Sequence, residues 1–97
     1  MTWYLDVDRK AILQAIKEFN KLGRDEFLEN YKFHYARDYF ISHDGQKYDC
    51  KPIVYAAYKH QFGIEPSNRE SSGVKDTIRP KLEEMGFTVI NIRTQPS

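Results

Sequence analysis

Apolar residues recur every three to four positions near the start of the chain, which is the spacing of a helix with one buried face. Over residues 7–22 the apolar positions that follow this spacing are Val7, Ala11, Ile12, Ala15, Ile16, Phe19 and Leu22. Asp6 or Asp8 suits the N-cap of this helix, and Gly23 suits its C-terminal end. Residues 24–31 predict a second, shorter helix. Because Gly23 alone separates the two segments, we expect a helical hairpin.

Residues 39–50 change to a strand pattern. The run Tyr39-Phe-Ile-Ser-His precedes Asp44-Gly45 and the run Gln-Lys-Tyr-Asp-Cys follows it, and this pair is typical of a type I′ hairpin turn. Alternate residues of a strand share a face, so Tyr39, Ile41 and His43 point one way. Phe40 and Ser42 point the other way. One of the two sets must therefore face the core.

Residues 51–61 predict a third helix with almost no polar face, which we expect at the centre of the core. A fourth helix is expected to end at Met85, before Gly86. Pro80 leaves two alternatives, since this helix either starts near Ile78 or starts at Gly73 and is kinked. Residues 87–93 are rich in β-branched residues and predict a final strand.

Together these segments predict the α+β class. Two N-terminal helices precede a β-hairpin, two further helices and a C-terminal strand, and the strands form a small antiparallel sheet. Helices beside a hairpin are compatible with a winged-helix-like arrangement. The 97 residues predict a single domain, with a core over about 6–93 and a frayed tail at 94–97.

Composition narrows the function classes only a little. The net charge is +1, so a basic surface that binds nucleic acid must be local. The single Cys50 excludes an internal disulfide and fits a reducing compartment. No apolar run approaches the roughly 20 residues that span a bilayer, and the first residues lack the layout of a signal peptide. We therefore expect a cytoplasmic protein without a membrane partner.

The segment between Lys32 and His60 interleaves basic and aromatic residues. Such a mixture is typical of a surface that holds a phosphate backbone and stacks on bases. It also suits an ordinary core covered by lysine stems. On the first interpretation, the DNA-binding candidates are Arg37, Tyr39, His43, Lys47, Tyr48, Lys51 and Tyr55, with Lys75 and Arg79 extending the track of cations.

Residues 71–79 offer a second candidate phosphate site. Ser71, Ser72 and Gly73 come just before a predicted helix, and the free N–H groups of a helix start favour an anion. The simpler alternative is a serine N-cap that needs no ligand. The spacing is not that of a P-loop.

Metal and catalytic chemistry find little support. The three histidines and Cys50 match no zinc-binding spacing, so we expect neither a metal site nor a cofactor. Asp49-Cys50-Lys51 has the D-x-K form of a metal-dependent nuclease site, but so short a motif often arises by chance. No base stands at a spacing that would activate Cys50 as a nucleophile. We therefore expect a domain without catalytic activity.

A longer pattern runs through the centre of the chain. Its positions are Tyr31, Phe33, Ala36, Arg37, Tyr39, Phe40, His43, Asp44, Gly45, Tyr48, Asp49, Lys51 and Ile53, followed by Ser72, Gly73 and residues 85–89. This pattern resembles the N-terminal domain of ScoMcrA-type HNH endonucleases, the modification-dependent (type IV) restriction enzymes of bacteria. The resemblance covers about residues 8–90. The chain departs from it at Lys32, Cys50, Pro52 and Val74, where the family has glycine, serine, alanine and glycine.

In the enzymes that carry this domain, other domains read phosphorothioate or methylated DNA and a C-terminal HNH domain cuts. The resemblance therefore implies an accessory module that recognises double-stranded, modified DNA beside a partner HNH nuclease and has no catalysis of its own. Val74 removes flexibility from the loop at Ser71–Gly73 and weakens that phosphate site. The alternative is a protein-interaction or oligomerisation module that positions a partner nuclease, which the near-neutral charge and the aromatic content favour.

Overall fold

The helices and strands follow the predicted order along the described part of the chain. The computed structural model of the protein describes residues 6–66 and 78–92. Its elements are α1 (Arg9–Leu22), α2 (Arg24–Tyr31), β1 (Tyr39–His43), β2 (Gln46–Asp49), α3 (Cys50–Phe62), α4 (Arg79–Glu84) and β3 (Thr88–Asn91). The predicted α+β class is confirmed.

Gly23 separates α1 from α2 and takes part in both helix ends. Its φ of +87° lies where glycine is favoured. Its N–H donates to the Phe19 carbonyl at 2.8 Å, and its own carbonyl accepts the Phe27 N–H at 3.0 Å. At the other end of α1, the Asp8 side chain accepts the Ala11 N–H at 2.9 Å. The predicted helical hairpin and one of its two candidate caps are therefore confirmed.

The three strands form an antiparallel sheet in the order β2-β1-β3. Asp44 and Gly45 have φ values of +50° and +78°, as a type I′ turn requires. In this register Ile41 pairs with Tyr48 on one side and with Val89 on the other, and all three are buried in the core. The predicted hairpin and the predicted position of the last strand beside it are confirmed.

Both faces of β1 bury an apolar side chain, although the alternation of side chains along the strand predicts only one buried face. Ile41 is fully buried against the helices, as expected for the core face. Phe40 points to the opposite face, yet it is only 8% exposed. The guanidinium carbon of Arg24 lies 5.8 Å from the Phe40 ring centroid, so part of this cover is a charged group over an aromatic face.

The apolar helix α3 lies at the centre of the core and packs mainly against α1. Seven of its residues are buried, which confirms its predicted place. In the described part of α4, Pro80 occupies the first turn, in agreement with a start near Ile78. The alternative start at Gly73 lies outside the described residues. None of the helices in the described ranges is long and apolar enough to cross a bilayer.

Candidate nucleic-acid interface

A pocket of about 350 Å³ opens where the start of β1 meets the first turn of α3. Three of the predicted DNA-binding residues, Arg37, Tyr39 and Lys51, lie in its wall. The full lining is Phe33, His34, Ala36, Arg37, Asp38, Tyr39, Cys50, Lys51 and Pro52. The structure therefore brings together a part of the predicted site that comes from two separate stretches of chain.

The chain between α2 and β1 carries half of this pocket and is held to the core at its start. Lys32 ends α2 in the left-handed conformation, with φ of +59°. The Phe33 N–H then donates to the Leu28 carbonyl at 2.9 Å, which closes a Schellman-type C-cap. The Phe33 ring packs edge-on against Tyr55, with centroids 5.2 Å apart. These contacts fix where the chain leaves α2 and turns toward the pocket.

Asp49 fixes the same segment from the other side. Its carboxylate is buried and accepts two hydrogen bonds from Arg24, at 3.0 and 2.9 Å. It also accepts the backbone N–H of Ala36 at 2.8 Å. The hydrogen bond to Asp49 raises the pKa of Arg24, so the guanidinium stays charged. The Tyr35 ring covers the guanidinium at 4.4 Å, and the Tyr35 hydroxyl donates to Asp25.

This arrangement bears on the nuclease hypothesis. Both oxygens of Asp49 are engaged by Arg24, and the side chain is only 1% exposed. A carboxylate held in this way has little capacity left to bind Mg²⁺. In residues 6–66 and 78–92, no three His, Cys, Asp or Glu side chains lie together as a metal site requires.

Cations line the pocket beside a neutral thiol. Within the described ranges, the exposed Arg37 has neither a hydrogen-bond nor an ion-pair partner. Lys51 is half-buried in the first turn of α3. Between pocket and core, burial raises the pKa of the Cys50 thiol to about 12, and the charge of nearby Arg79 opposes this rise. Cys50 is therefore an uncharged wall residue and not a nucleophile.

The other described side chains of the predicted track, Lys47, His43 and Arg79, are not part of the pocket lining. Lys47 is exposed and pairs with Ser42, so it points to the outer face of the sheet, about 10 Å along β1 from Tyr39. His43 lies at the turn, 3.5 Å from the Asp44 carboxylate, and its ring contacts Phe87. Arg79 pairs with Glu83 on α4 at 3.3 Å. In the described part of the chain, the predicted track therefore divides into residues that line the pocket and residues that do not.

Two predicted base-stacking residues belong to the core. Tyr48 is 1% exposed, and its hydroxyl lies 2.9 Å from Asn20 Oδ1 and 3.1 Å from Gln46 Oε1. Tyr55 is 3% exposed and packs against Tyr31 and Phe33. Neither ring can stack on a base without leaving the core, so the prediction was wrong for these two. The hairpin register already contains the signal, because it pairs Tyr48 with the apolar Ile41.

The second candidate phosphate site is not described. Ser71, Ser72, Gly73 and Lys75 lie outside the described residues, so that hypothesis remains a prediction. Sequence reasoning also missed the link between Arg24 and Asp49. The two residues are 25 positions apart in the sequence and form no periodic or motif pattern, so only the folded chain brings them together.

Comparisons with known proteins bear on the family and the fold of the chain. The family model described as "ScoMcrA-like, N-terminal head domain" matches residues 5–91. A solved structure described as the type IV phosphorothioation-dependent restriction endonuclease ScoMcrA matches 95% of this chain, with a TM-score of 0.65 and 28% sequence identity. The matched region is 14% of that protein's length. No curated protein matches the sequence.

Proposed function

The chain belongs to the family of ScoMcrA-like N-terminal head domains, and on this premise we propose that it is a DNA-binding recognition module of a restriction or phage-defence system that reads modified DNA. The similar solved protein is a phosphorothioation-dependent restriction endonuclease, of which this chain spans 14%. That protein's dependence on modified DNA supports a role for this domain in recognition. The module would act on DNA in the cytoplasm.

The observation that carries this proposal is the pocket shared by Arg37, Tyr39 and Lys51. Arginine and lysine side chains hold phosphate groups and position a protein on DNA. An aromatic ring between them offers a face on which a base can stack. The first turn of α3 adds backbone N–H groups that the Asp49 side chain does not cap, and such groups favour an anion. Phosphate and base recognition would therefore meet at one place.

We further propose that the module does not itself cut DNA. The buried Asp49 is held by Arg24, and Cys50 is neutral, which leaves neither the D-x-K motif nor the thiol in a reactive state. The resemblance assigns cleavage to an HNH domain. A partner HNH nuclease would therefore cut the DNA that this module binds.

The experiment is a titration of duplex DNA, unmodified and carrying modified cytosine, at two salt concentrations. Arg37→Ala combined with Lys51→Ala should weaken binding by about tenfold or more and reduce the salt slope by about 2, since two phosphate contacts are lost. The matched control is Lys10→Ala with Lys17→Ala, which removes the same charge from the exposed face of α1. Equal weakening in the control would contradict the assignment to the pocket.

A second candidate function rests on the C-terminal end of α3. Phe62 and Ile64 are 45% and 64% exposed, and the Phe62 ring packs against Tyr58 with centroids 4.6 Å apart. Exposed apolar side chains of this kind are typical of a protein-interaction or oligomerisation surface. Light scattering discriminates between the functions. This alternative would be favoured if the wild type is a dimer that binds no DNA at low salt. The double variant Phe62→Ser with Ile64→Ser should then be a monomer.

A further inference from the structure

The pocket has a property that contacts to a duplex backbone do not require, which is a concave wall with mostly apolar lining. Its volume of about 350 Å³ lies at the lower end of the range of small-molecule sites, roughly 300–1,000 Å³. Phe33, Ala36, Tyr39 and Pro52 supply apolar lining. Phosphates on the outside of a duplex would reach Arg37 and Lys51 without entering such a cavity.

The wall of the pocket is also held in place before any ligand arrives. Phe33 packs against the buried Tyr55, the Ala36 N–H is bonded to Asp49, and Pro52 is buried in the first turn of α3. Side chains and backbone that are fixed in advance lose little conformational entropy on binding. The cavity therefore has the preformed character of a binding site.

We propose that this pocket accepts one unpaired nucleobase of DNA, with the adjoining phosphate on Arg37 and Lys51. The inference rests on the proposed function and specifies its ligand. Tyr39 and Phe33 offer ring surface to a flat base. The Asp38 carboxylate lines the pocket and accepts N–H donors of a base edge. A carboxylate has about four acceptor positions, so it can accept from a base edge beside a partner within the protein.

A paired base is stacked inside the helix and cannot enter the pocket. Proteins that read a single base in a pocket extrude it or take it from single-stranded DNA, and the unstacking is easiest where the base is mismatched or unpaired. The proposal therefore makes affinity depend on base pairing at one position. Contacts to phosphates alone would not produce that dependence.

The test compares labelled duplexes of one sequence by fluorescence anisotropy. One is fully paired, one has an abasic site opposite a central base, and one lacks that central base itself. We expect the duplex with the unpaired base to bind about tenfold or more tightly than the other two, since its base enters the pocket at little cost. Single-stranded DNA is the fourth ligand, and its rank shows whether the base is extruded from a duplex or taken from a single strand.

Ala36→Leu would fill the pocket without changing its charge or the backbone hydrogen bond to Asp49. We expect this variant to lose the preference for the unpaired base and to keep salt-sensitive binding to the paired duplex. Ala36→Ser is the matched control of similar volume and should retain the preference. If Ala36→Leu fails to fold, Tyr39→Leu removes the aromatic wall and should reduce the preference in the same way.

The outcomes separate the two proposals. Equal affinity of the wild type for paired and unpaired positions, with salt-sensitive binding, would overturn the nucleobase pocket and leave the proposed function standing. A preference that survives in Ala36→Leu would also overturn it. Absence of binding to every DNA at low salt would overturn the proposed function together with this inference.

Discussion

Arg24, the first residue of α2, holds the carboxylate of Asp49, the last residue of β2, through two hydrogen bonds of 3.0 and 2.9 Å. The pair links the helical hairpin to the hairpin of strands. Because Asp49 also accepts the Ala36 N–H, the pair fixes the chain that carries Arg37 and the pocket wall. A pair that is not part of the pocket lining thereby sets the geometry of the candidate interface.

The first prediction concerns this pair. Arg24→Ala leaves a buried carboxylate without its cation, and we expect the free energy of unfolding to fall by about 3 kcal/mol. Arg24→Lys keeps the charge but not the bidentate geometry. Its free energy of unfolding should lie between those of Arg24→Ala and the wild type. Urea denaturation followed by circular dichroism measures both.

The control for Arg24 is the pair of Arg79 with Glu83, in which the arginine is about as exposed as Arg24 but the carboxylate is 49% exposed and not buried. Arg79→Ala should change the free energy of unfolding by less than about 0.5 kcal/mol. Similar losses for Arg24→Ala and Arg79→Ala would show that burial of Asp49 does not govern the effect.

The second prediction concerns Lys32, the left-handed residue that ends α2. Lys32→Gly relieves the strain of a side chain at φ of +59° and should raise the free energy of unfolding by about 0.5–1 kcal/mol. Lys32→Ala removes the long side chain but keeps the Cβ, so it should give no such gain. A thermal melt of the three proteins decides the point, and equal effects of glycine and alanine would contradict it.

The third prediction concerns pH. Burial raises the pKa of Cys50 to about 12, above the value of roughly 8.5 for an unfolded thiol. The contribution of the neutral thiol to the stability of the fold is complete below the pKa of the unfolded state. It is lost as the pH rises toward the pKa of the folded state. Between about pH 8 and about pH 10 the wild type should lose about 2 kcal/mol of stability that Cys50→Ala does not lose.

The measurement for Cys50 is the difference in slope of stability against pH, which is insensitive to the packing change in the variant. Burial also raises the pKa of Tyr31, so this residue lowers stability at higher pH as well. It does so equally in the wild type and in Cys50→Ala. Parallel slopes for the wild type and Cys50→Ala would refute the assignment to the thiol.

The fourth prediction separates core tyrosines from surface ones. Tyr48→Phe removes a hydroxyl that lies within hydrogen-bond distance of Asn20 and Gln46 and should cost about 0.5–1.5 kcal/mol of stability. Its DNA affinity should equal that of the wild type. In the same anisotropy assay, Tyr39→Leu should bind the duplex with the unpaired base more weakly than the wild type does, which Tyr48→Phe should not.

Local patterns explain why so much of the fold is predictable. The repeat of apolar residues defines α1, and Gly23 and Asp44-Gly45 define the two turns, because each depends only on neighbours in the sequence. The face of β1 was harder to predict. Part of the cover over Phe40 comes from Arg24, which is remote in the sequence. The alternation of residues along a strand does not predict such a contact.

The candidate site was predictable only in part, for a related reason. Arg37, Tyr39 and Lys51 were found because basic and aromatic residues lie close together in the sequence, and the fold keeps these three in one pocket. Tyr48 and Tyr55 have the same residue type in the same stretch, yet they point into the core. The direction of these two side chains follows from strand register and helix phase, and neither can be predicted from residue composition.

The helix α2 has only eight residues, and a helix this short is not stable by itself in water. Its order comes from packing and from Arg24, and none of its residues lines the pocket. We expect a ligand that fixes the chain around Ala36 to slow hydrogen exchange of the α2 amides, because Arg24 of this helix and the Ala36 N–H are bonded to the same Asp49 carboxylate. Variation in α2 can therefore tune recognition without changing a single contact to the ligand.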